Sequence, residues 1–414
     1  MKKTLLALVL GSVAASSFAY INLFSSADGR SKIRFGGDFR VVGQYQDNSF
    51  YYPSKAGSDE FYTFNQLRYR FSLDGHVFLN PETYLGFYTR FNGSFTNYQY
   101  TYTGSDTNAN FRNSTRMSYK TDNGSTKVRY HNQYSPDIDR FQVYFGSYKF
   151  GRVTLALNSK NMGNQEVGAA DNNDFSTATN FVYTFYTALS NVYLRNYDWT
   201  VRYDLTTDPN AKYLASVSYA RGKSDIYSTQ SSSKYKYNHD VQVSFGYKFN
   251  RQNGFYLNAA STAEATNTRD KTATKSEGVE LYADVRPIPE YNNLRLRTAI
   301  STMSQNHRSW NYKIKVTSFS VDLTHYDTFV KGLNLYAGGG VKLDKRAYAT
   351  YNTTTKTYQG YAGGEYYILN TYTGDKVTLK GFLEGLYSRE KRENWSTNRS
   401  MNSRSVAAGF RLFL

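Results

Sequence analysis

The stretch that decides the fold is Ser405-Val-Ala-Ala-Gly-Phe-Arg-Leu-Phe-Leu414. Apolar residues recur at every second position from Val406 to Leu414, and Ser405, Gly409 and Arg411 lie among the alternate positions. Because successive side chains of a β-strand point to opposite faces, this pattern predicts a strand with one apolar face and one face of small or polar residues.

The same alternation recurs along most of the chain and predicts sixteen strands. In Tyr197–Leu205, for example, five apolar residues alternate with Asp198, Thr200, Arg202 and Asp204. An even number of strands is what a closed bacterial barrel requires. The expected strands are Ile33–Tyr45, Gln66–His76, Leu85–Phe95, Phe141–Tyr148, Arg152–Asn158, Tyr197–Leu205, Tyr213–Arg221, Asp240–Phe249, Phe255–Ala263, Val279–Arg286, Leu294–Met303, Val316–Thr324, Leu333–Val341, Tyr358–Tyr367, Val377–Tyr387 and Ser405–Leu414.

The polar faces of these strands argue against a soluble sandwich with a dry interior. Almost every strand carries an arginine or a carboxylate on its polar face, and ions cannot line a dry core without pairing. A water-filled lumen inside a barrel whose apolar face meets lipid removes that cost. The sequence therefore predicts an all-β, antiparallel transmembrane β-barrel.

The N-terminal residues have the pattern of a secretory signal peptide. Lys2 and Lys3 form the positive region, Leu5 to Leu10 the apolar core, and Ser17-Phe18-Ala19 a cleavage site of small residues. The apolar run is too short to span a bilayer as a helix. We expect residues 1–19 to be a cleaved signal peptide and residues 20–414 to be one barrel domain in the outer membrane of a Gram-negative cell.

Composition excludes several other classes. The chain has 41 tyrosines and six prolines, which suits strands and membrane-interface girdles. The absence of cysteine excludes a disulfide scaffold and thiolate chemistry. The five histidines are scattered, and no hydrolase motif or metal-binding spacing occurs, so neither catalysis, a metal nor a cofactor is expected. The net charge of +17 could suit nucleic acid, but the export signal argues against that partner.

The connections between predicted strands alternate in length. Short, turn-like segments such as Asn80-Pro81-Glu82 fit periplasmic turns, and longer polar segments such as Asp47–Glu60 and Lys342–Thr357 fit extracellular loops. The longest connection is Ser159–Asn196. A loop of that length is usually functional or disordered.

Several of these segments resemble the general porins of Gram-negative outer membranes, which are trimeric diffusion channels. The segments are Arg70-Phe-Ser-Leu-Asp-Gly75, Leu85-Gly-Phe-Tyr-Thr-Arg90-Phe91, Phe150-Gly-Arg-Val-Thr-Leu155, and Arg195-Asn-Tyr-Asp-Trp-Thr-Val-Arg-Tyr-Asp204 followed by Ser218-Tyr-Ala-Arg-Gly222. The resemblance covers the first half of the chain. After about Lys223 only the alternation and the strand count support it.

The resemblance implies that the loop Ser159–Asn196 folds into the lumen and narrows it to an eyelet. It also implies a homotrimer, with the loop Tyr102–Pro136 as a candidate latch onto a neighbouring subunit. Carried over by position, the constriction would have loop acids facing wall bases: Glu166, Asp171 and Asp174 facing Arg70, Arg195, Arg140, Arg68 and Arg90.

Several positions depart from the family pattern. Arg140 lies one residue further from Gly146 than the family spacing, so it is expected to need a bulge to reach the inner face. Leu157 and Asn158 stand where the family has an arginine, and Leu414 stands where it usually has phenylalanine. The loop also lacks the family's Pro-Glu-Phe-Gly-Gly segment.

The residues leave three functional readings open. The first is a non-specific diffusion channel for small hydrophilic solutes and ions. The arginine-rich polar face favours anions, unless the excess charge lies on outer loops and binds lipopolysaccharide phosphates. The second is a substrate-selective channel with an aromatic slide, to which Tyr88, Tyr144, Tyr282 and Tyr336 could contribute. The third is a structural or adhesive barrel whose loops meet other surfaces.

Overall fold

The computed structural model describes residues 20–52, 55–103, 118–122, 125–132, 137–157, 199–206, 211–223, 237–250, 253–267, 272–287, 293–307, 312–370, 377–394 and 399–413. Within these ranges every regular element is a β-strand. No helix among them is long and apolar enough to cross a membrane.

The nineteen described strands form one antiparallel sheet. They are β1 Tyr20–Ser25, β2 Lys32–Tyr52, β3 Lys55–Phe78, β4 Thr83–Thr103, β5 Ser118–Asp122, β6 Ser125–Asn132, β7 Asp137–Ser147, β8 Gly151–Leu157, β9 Trp199–Asp204, β10 Tyr213–Lys223, β11 Tyr237–Lys248, β12 Gly254–Asn267, β13 Thr272–Val285, β14 Leu294–His307, β15 Tyr312–His325, β16 Leu333–Ala347, β17 Asn352–Asn370, β18 Thr378–Asn394 and β19 Arg399–Phe413.

Sixteen of these strands, β2–β4 and β7–β19, close into a barrel. Each pairs with its neighbour in chain order, with β4 meeting β7 directly. The last strand returns to the first of the sixteen, from Ser400 opposite Tyr51 to Phe413 opposite Asp38. The predicted fold and strand number are therefore confirmed, and each predicted strand overlaps one strand of the barrel.

The N-terminal strand β1 supplements the closing seam. β19 ends on β2 at Asp38, and β1 continues beyond it on β2, with Tyr20 opposite Gly36 and Ser25 opposite Lys32. The sequence reasoning missed β1 because six residues are too few to show a clear alternation. The backbone groups that β19 leaves at the end of β2 are instead paired by β1, which suits a sheet without open edges.

The strands extend further at the loop end than the sequence predicted. Two segments expected to be loops, Asp47–Glu60 and Lys342–Thr357, consist largely of paired strand residues that prolong β2–β3 and β16–β17. Part of Tyr102–Pro136 forms the hairpin β5–β6, and β6 pairs with the outer half of β4. Polar strands above the membrane need no apolar alternation, so periodicity did not reveal them.

Strand β15 shows how alternating residues of the sequence come to lie on two different faces of the sheet. From Tyr312 to His325 its residues alternate between exposed and buried along almost the whole strand. The buried residues of its second half are Ser318, Ser320, Asp322 and Thr324, whereas Phe319, Val321 and Leu323 are exposed. In this half of the strand the apolar side chains therefore face the outside of the barrel and the polar side chains its inside, whereas Ile314 and Val316 of the first half are buried.

Aromatic rings pack over glycines on the inner wall. Within the described ranges, six inner glycines lie directly opposite an aromatic residue on the next strand: Gly86–Tyr144, Gly146–Tyr84, Gly246–Tyr256, Gly338–Tyr361, Gly363–Tyr336 and Gly409–Phe382. At each pair the ring occupies the space that a side chain at the glycine would need. Because the glycine has no side chain, the aromatic ring can lie along the wall and cover the backbone of the glycine on the next strand.

Candidate functional site: the inner face of the barrel

The distribution of side chains is the reverse of that in a soluble protein: charged side chains are buried on the inner face, and apolar side chains are exposed on the outer face. The most deeply buried large side chains of the inner face include Arg40, Arg202, Glu280 and Glu384, all at most 2 % exposed. The large exposed side chains are apolar, and Val406 and Phe410 of β19, for example, are each more than half exposed. A chain that encloses charge and exposes hydrocarbon is suited to an apolar solvent outside and polar contents inside.

Another part of the inner wall carries ion pairs. Asp204 accepts hydrogen bonds from Arg202 Nε at 2.7 Å and from Arg152 Nη2 at 3.0 Å. On β14 and β15, Arg297 donates from Nη2 and Nε to Asp322 Oδ1, at 2.6 and 3.0 Å. These cations each have a carboxylate within hydrogen-bonding distance, so this wall presents alternating charge to the lumen.

The wall from β18 through β19 and β2 to β3 is different, because four cations stand directly opposite one another across four adjacent strands. Lys380 is opposite Arg411, Arg411 is opposite Arg40, and Arg40 is opposite Arg68. We call these four residues the cationic row. Directly opposed like charges destabilise a sheet, so such a row requires compensating groups.

Two carboxylates lie within the row. Asp38 accepts two hydrogen bonds from Arg411, both at 3.1 Å, and one from Arg68 Nη2 at 3.4 Å, and Arg40 Nη2 is 3.9 Å away. Glu365 accepts a hydrogen bond from Lys380 Nζ at 2.5 Å. Asp38 and Glu365 thus lie among the cations of the row.

Further arginines extend this positive region around the wall. Arg70 lies opposite Asp38 on β3 and donates from Nε to Asn92 Oδ1 at 3.2 Å. Arg90 follows on β4, two positions from Asn92 on the same face. Arg34, by contrast, forms a hydrogen-bonded ion pair with Asp74. The positive charge of the lumen is therefore concentrated on one side and is not spread evenly.

The inner tyrosines are held against the wall by their hydroxyl groups as well as their rings. Tyr336 donates to Glu384 Oε2 at 3.1 Å, and Tyr361 donates to Asp322 Oδ2 at 2.8 Å. Tyr144 lies over Gly86 and hydrogen-bonds to Asp74 Oδ1 at 3.3 Å. Rings fixed in this way along the wall do not present free faces in a continuous line.

We expect Tyr336→Phe to destabilise the barrel by about 1–3 kcal/mol. Glu384 is 1 % exposed and would lose the hydroxyl that hydrogen-bonds to its Oε2. Urea unfolding in lipid vesicles, followed by tryptophan fluorescence, measures the loss. Tyr387→Phe is the matched control, because that hydroxyl bonds to Asn402 at an exposed site. Equal effects of the two changes would contradict the proposed importance of the Tyr336–Glu384 bond.

The structure places three of the predicted wall bases on the inner face. Arg68, Arg70 and Arg90 lie on neighbouring strands of the positive region. Arg195 and the loop acids Glu166, Asp171 and Asp174 lie outside the described residues, as does the whole loop Ser159–Asn196. An eyelet in which these acids face the wall bases stays a prediction.

The expectation that Arg140 needs a bulge to reach the inner face is wrong. Position 140 is directly opposite Arg90, and the pairing of β7 with β4 then runs without interruption to Ser147. The irregularity falls at Asp139, on the other side of Arg140. Positions 140 and 146 are an even number of residues apart, so a regular strand already places both on the same face.

Sequence reasoning did not name Lys380 or Arg411 as candidate site residues. The alternation assigned Arg411 to the polar face of the last strand, and the same reading applies to Lys380 between Leu379 and Gly381. Their importance comes from their position opposite Arg40 and its neighbours. That position depends on strand register, which alternation alone cannot show.

Comparison with known proteins identifies the fold. No protein-family model and no curated protein sequence matches the chain. Among solved structures, OmpT, an outer membrane protein of Vibrio cholerae folded in vitro, aligns with a TM-score of 0.54 at 12% identity, over 95% of this chain and 99% of that one. An anion-selective porin from Comamonas acidovorans aligns with a TM-score of 0.53 at 12% identity, over 93% and 100%. The fold is that of the outer-membrane porins.

A trimer form of the Vibrio cholerae OmpT is also similar, with a TM-score of 0.51 at 12% identity over 90% of this chain and 99% of that one. At this level of identity the likeness concerns the fold alone. What the inner face of this chain does has to be argued from its own residues.

Proposed function

We propose that this protein is an outer-membrane porin that forms a water-filled channel for passive diffusion of small hydrophilic solutes and ions, with a preference for anions. The observation that supports this proposal is the distribution of side chains: the barrel encloses charged side chains and exposes an apolar belt to lipid. The channel works without catalysis. Its location in the outer membrane agrees with the export signal expected in residues 1–19.

The preference for anions is supported by the one-sided positive charge of the lumen. The cationic row, Arg70 and Arg90 present six cations on adjacent strands, and Asp38 and Glu365 are bonded to members of the row. Charged groups that line a narrow aqueous path raise the local concentration of ions of opposite sign. The Arg297–Asp322 pair elsewhere on the wall adds no net charge.

The competing reading as a slide for a particular substrate has less support from the tyrosines. Tyr144 and Tyr336, two of the four expected contributors, lie over glycines with their hydroxyl groups bound to carboxylates. Rings in this position act as wall packing. A diffusion channel therefore fits the inner face better than an aromatic slide.

The outer surface supports lipopolysaccharide as a partner. On the outward face near the loop end, Lys315 stands directly opposite Lys345, and Lys356 directly opposite Lys391. Glu393 is bonded to Lys356 at 3.0 Å. Adjacent outward cations above an apolar belt suit the phosphate groups of the outer leaflet. A homotrimer is proposed on the likeness to porins, one of which has a trimer form.

Planar bilayer recording across a salt gradient tests the proposal. We expect stepwise conductance and a reversal potential of anionic sign. Arg70→Gln combined with Arg90→Gln should reduce the anion-to-cation permeability ratio by about twofold or more, because both residues belong to the lumen charge. Lys356→Gln combined with Lys391→Gln removes the same charge from the outer surface and should leave the ratio unchanged.

Each other outcome has a defined meaning. Steps with a cationic reversal potential would leave a channel and contradict the anion preference. A ratio that responds to the outer lysines and not to Arg70 and Arg90 would move the selectivity to the surface. Folded protein that gives no steps would contradict the channel itself and favour a structural or adhesive barrel.

A further inference from the structure

We propose that three stacked tyrosines at the loop end of the barrel form a binding site for a neutral oligosaccharide. Tyr312 begins β15, and Tyr348 and Tyr351 lie in the turn between β16 and β17. We call these three residues the tyrosine stack. The inference goes beyond the proposed function, because binding of a sugar at the entrance requires neither conduction nor a preference for anions.

The first argument is the nearly parallel arrangement of the rings. The ring centroids of Tyr312 and Tyr348 are 5.1 Å apart, with an interplanar angle of 29°. Those of Tyr348 and Tyr351 are 4.5 Å apart, with an angle of 20°. Tyr351 ends the stack and is 38% exposed, so a flat partner can extend the stack there. One face of a pyranose ring is such a partner, because its C–H groups suit the negative face of an aromatic ring.

The turn that carries two of these rings does not depend on them for closure. The backbone N–H of Tyr348 donates to the carbonyl oxygen of Tyr351 at 2.9 Å. The strands on either side are paired up to Ala347 and Asn352. Turns favour small and polar residues, and apolar surface that is left exposed commonly marks a binding site. The two rings therefore suit recognition of a ligand better than formation of the turn.

The second argument is a pair of polar side chains close to the stack in β16. Arg346 donates to Asp344 from Nη2 at 2.9 Å and from Nε at 3.2 Å. The side chain of Arg346 keeps 41% exposure. A guanidinium group offers donors and a carboxylate offers acceptors, and the hydroxyl groups of a sugar can pair with both. Because the pair has no net charge, it favours a neutral polyhydroxyl ligand over a phosphate or a carboxylate.

The third argument is an apolar patch of the inner wall on which the stack rests. Tyr312 packs against a cluster of buried apolar residues, each at most 8% exposed: Ala260, Met303, Ile314 and Val316. From Ser318 onward the buried residues of β15 are polar. The inner wall therefore becomes apolar toward the tyrosine stack. Packing against this patch holds the ring of Tyr312 in place, and a preorganised site loses less entropy when a ligand binds.

The position of the stack favours a dissolved sugar over the polysaccharide of lipopolysaccharide. Tyr312 packs on the inner wall, and Tyr348 and Tyr351 follow from it in the stack. Arg346 is directly opposite Ile314, which belongs to the same inner patch. Lipopolysaccharide surrounds the outward face of a barrel, on the other side of these strands. The site therefore suits an oligosaccharide that enters the barrel from solution.

Saturation-transfer difference NMR tests the site on the full-length protein, refolded in detergent without lipopolysaccharide. The probes are maltotriose, mannotriose and chitotriose, which differ in hexose and linkage, and phenol serves as a purely aromatic probe. We expect saturable binding of at least one trisaccharide, with the strongest transfer to C–H protons on one face of a ring. Tyr351→Ala should weaken this binding about fivefold or more, and Tyr351→Phe, which keeps the ring, less than about twofold.

Tyr358→Ala is the matched control, because it removes an exposed tyrosine from the outward face of the same strand, β17. We expect it to change the affinity less than about twofold. If Tyr351→Ala does not fold, as judged by gel mobility before and after heating, Tyr351→Leu removes the aromatic face and keeps an apolar side chain, and the same weakening is expected.

Salt separates a neutral ligand from an ion. Raising sodium chloride from about 0.1 M to about 1 M should change the affinity for the trisaccharide less than about twofold, because salt screens interactions between charges and the sugar carries none. A steep loss of affinity with salt would contradict recognition of an uncharged ligand.

Three further results would overturn the inference: no saturable binding of any trisaccharide, even where phenol binds; equal weakening by Tyr358→Ala and Tyr351→Ala; or unchanged binding in Tyr351→Ala. None of these depends on conductance. A porin that conducts anions and binds no trisaccharide would refute the site and keep the proposed function. Binding of a trisaccharide to a barrel that does not conduct would do the reverse.

Discussion

An Arg297→Met variant is expected to lose about 3–5 kcal/mol of the free energy of unfolding. Arg297 is 3% exposed and Asp322 is 0% exposed. Removal of the guanidinium group would leave Asp322 as a buried carboxylate without its cation. The remaining hydrogen bonds from Tyr361 and Thr324 satisfy its oxygens only in part.

A set of variants separates this effect from a general loss of charge. Arg297→Met combined with Asp322→Asn removes both charges and should recover much of the loss, because no unpaired buried ion remains. Lys356→Met is the exposed control, since its partner Glu393 is half exposed and an exposed ion pair contributes little to stability. Urea unfolding in lipid vesicles measures all three. A single variant no less stable than the double variant would show that the pair is not the source of the stability.

A Gly409→Ala variant is expected to destabilise the closed barrel by about 1–3 kcal/mol or more. A Cβ atom at position 409 would overlap the backbone carbonyl oxygen of Val41 on β2 and would lie 2.8 Å from Cζ of Phe382 on β18. The ring can move, but the carbonyl belongs to the strand that closes the barrel against β19. The added methyl group therefore acts directly on the closing seam.

Gly385→Ala is the matched control for this change. It is another strand glycine, on β18, and a Cβ atom there would meet nothing closer than 3.9 Å. Gel mobility before and after heating reports the folded fraction of each variant, and urea unfolding reports its stability. Equal stability of Gly409→Ala and Gly385→Ala would contradict the steric argument at the seam.

The two changes act on different features of the same architecture. Arg297 belongs to the wall in which each cation has a carboxylate, and its loss is electrostatic. Gly409 belongs to the seam and leaves room for the ring of Phe382 and for the backbone of β2. The loss of stability on its substitution is therefore steric. The seam also carries the cationic row, so the β19–β2 contact combines closure of the barrel with its strongest concentration of positive charge.

The fold could be read from the sequence because a membrane barrel imposes a simple rule on every strand. Lipid requires apolar side chains at alternate positions, and the lumen requires polar ones between them. In β15 this rule holds from Ser318 to Thr324, so alternation located that half of the strand and its two faces. The same rule failed at the outer ends of β16 and β17, where water lies on both sides and alternation is not required.

The candidate site was only partly predictable for a related reason. Alternation placed Arg68, Arg70 and Arg90 on the inner face, but it could not state which residue on the next strand would stand opposite each of them. Arg140 illustrates the limit, because comparison of spacing suggested a bulge that the pairing of β7 with β4 does not need. Lys380 and Arg411 acquired their significance only from their cross-strand neighbours.

The sequence by itself therefore determined that the chain forms a sixteen-stranded barrel with charge inside and hydrocarbon outside, because the period of a strand is a local property of the backbone. Only the tertiary structure decided which charges meet. Strand register brings Arg411 opposite Arg40 across 371 positions of sequence, and it brings Arg297 beside Asp322 on the paired wall. Electrostatic energies depend on the distances between charges on different strands. Those distances cannot be read from the order of residues within one strand.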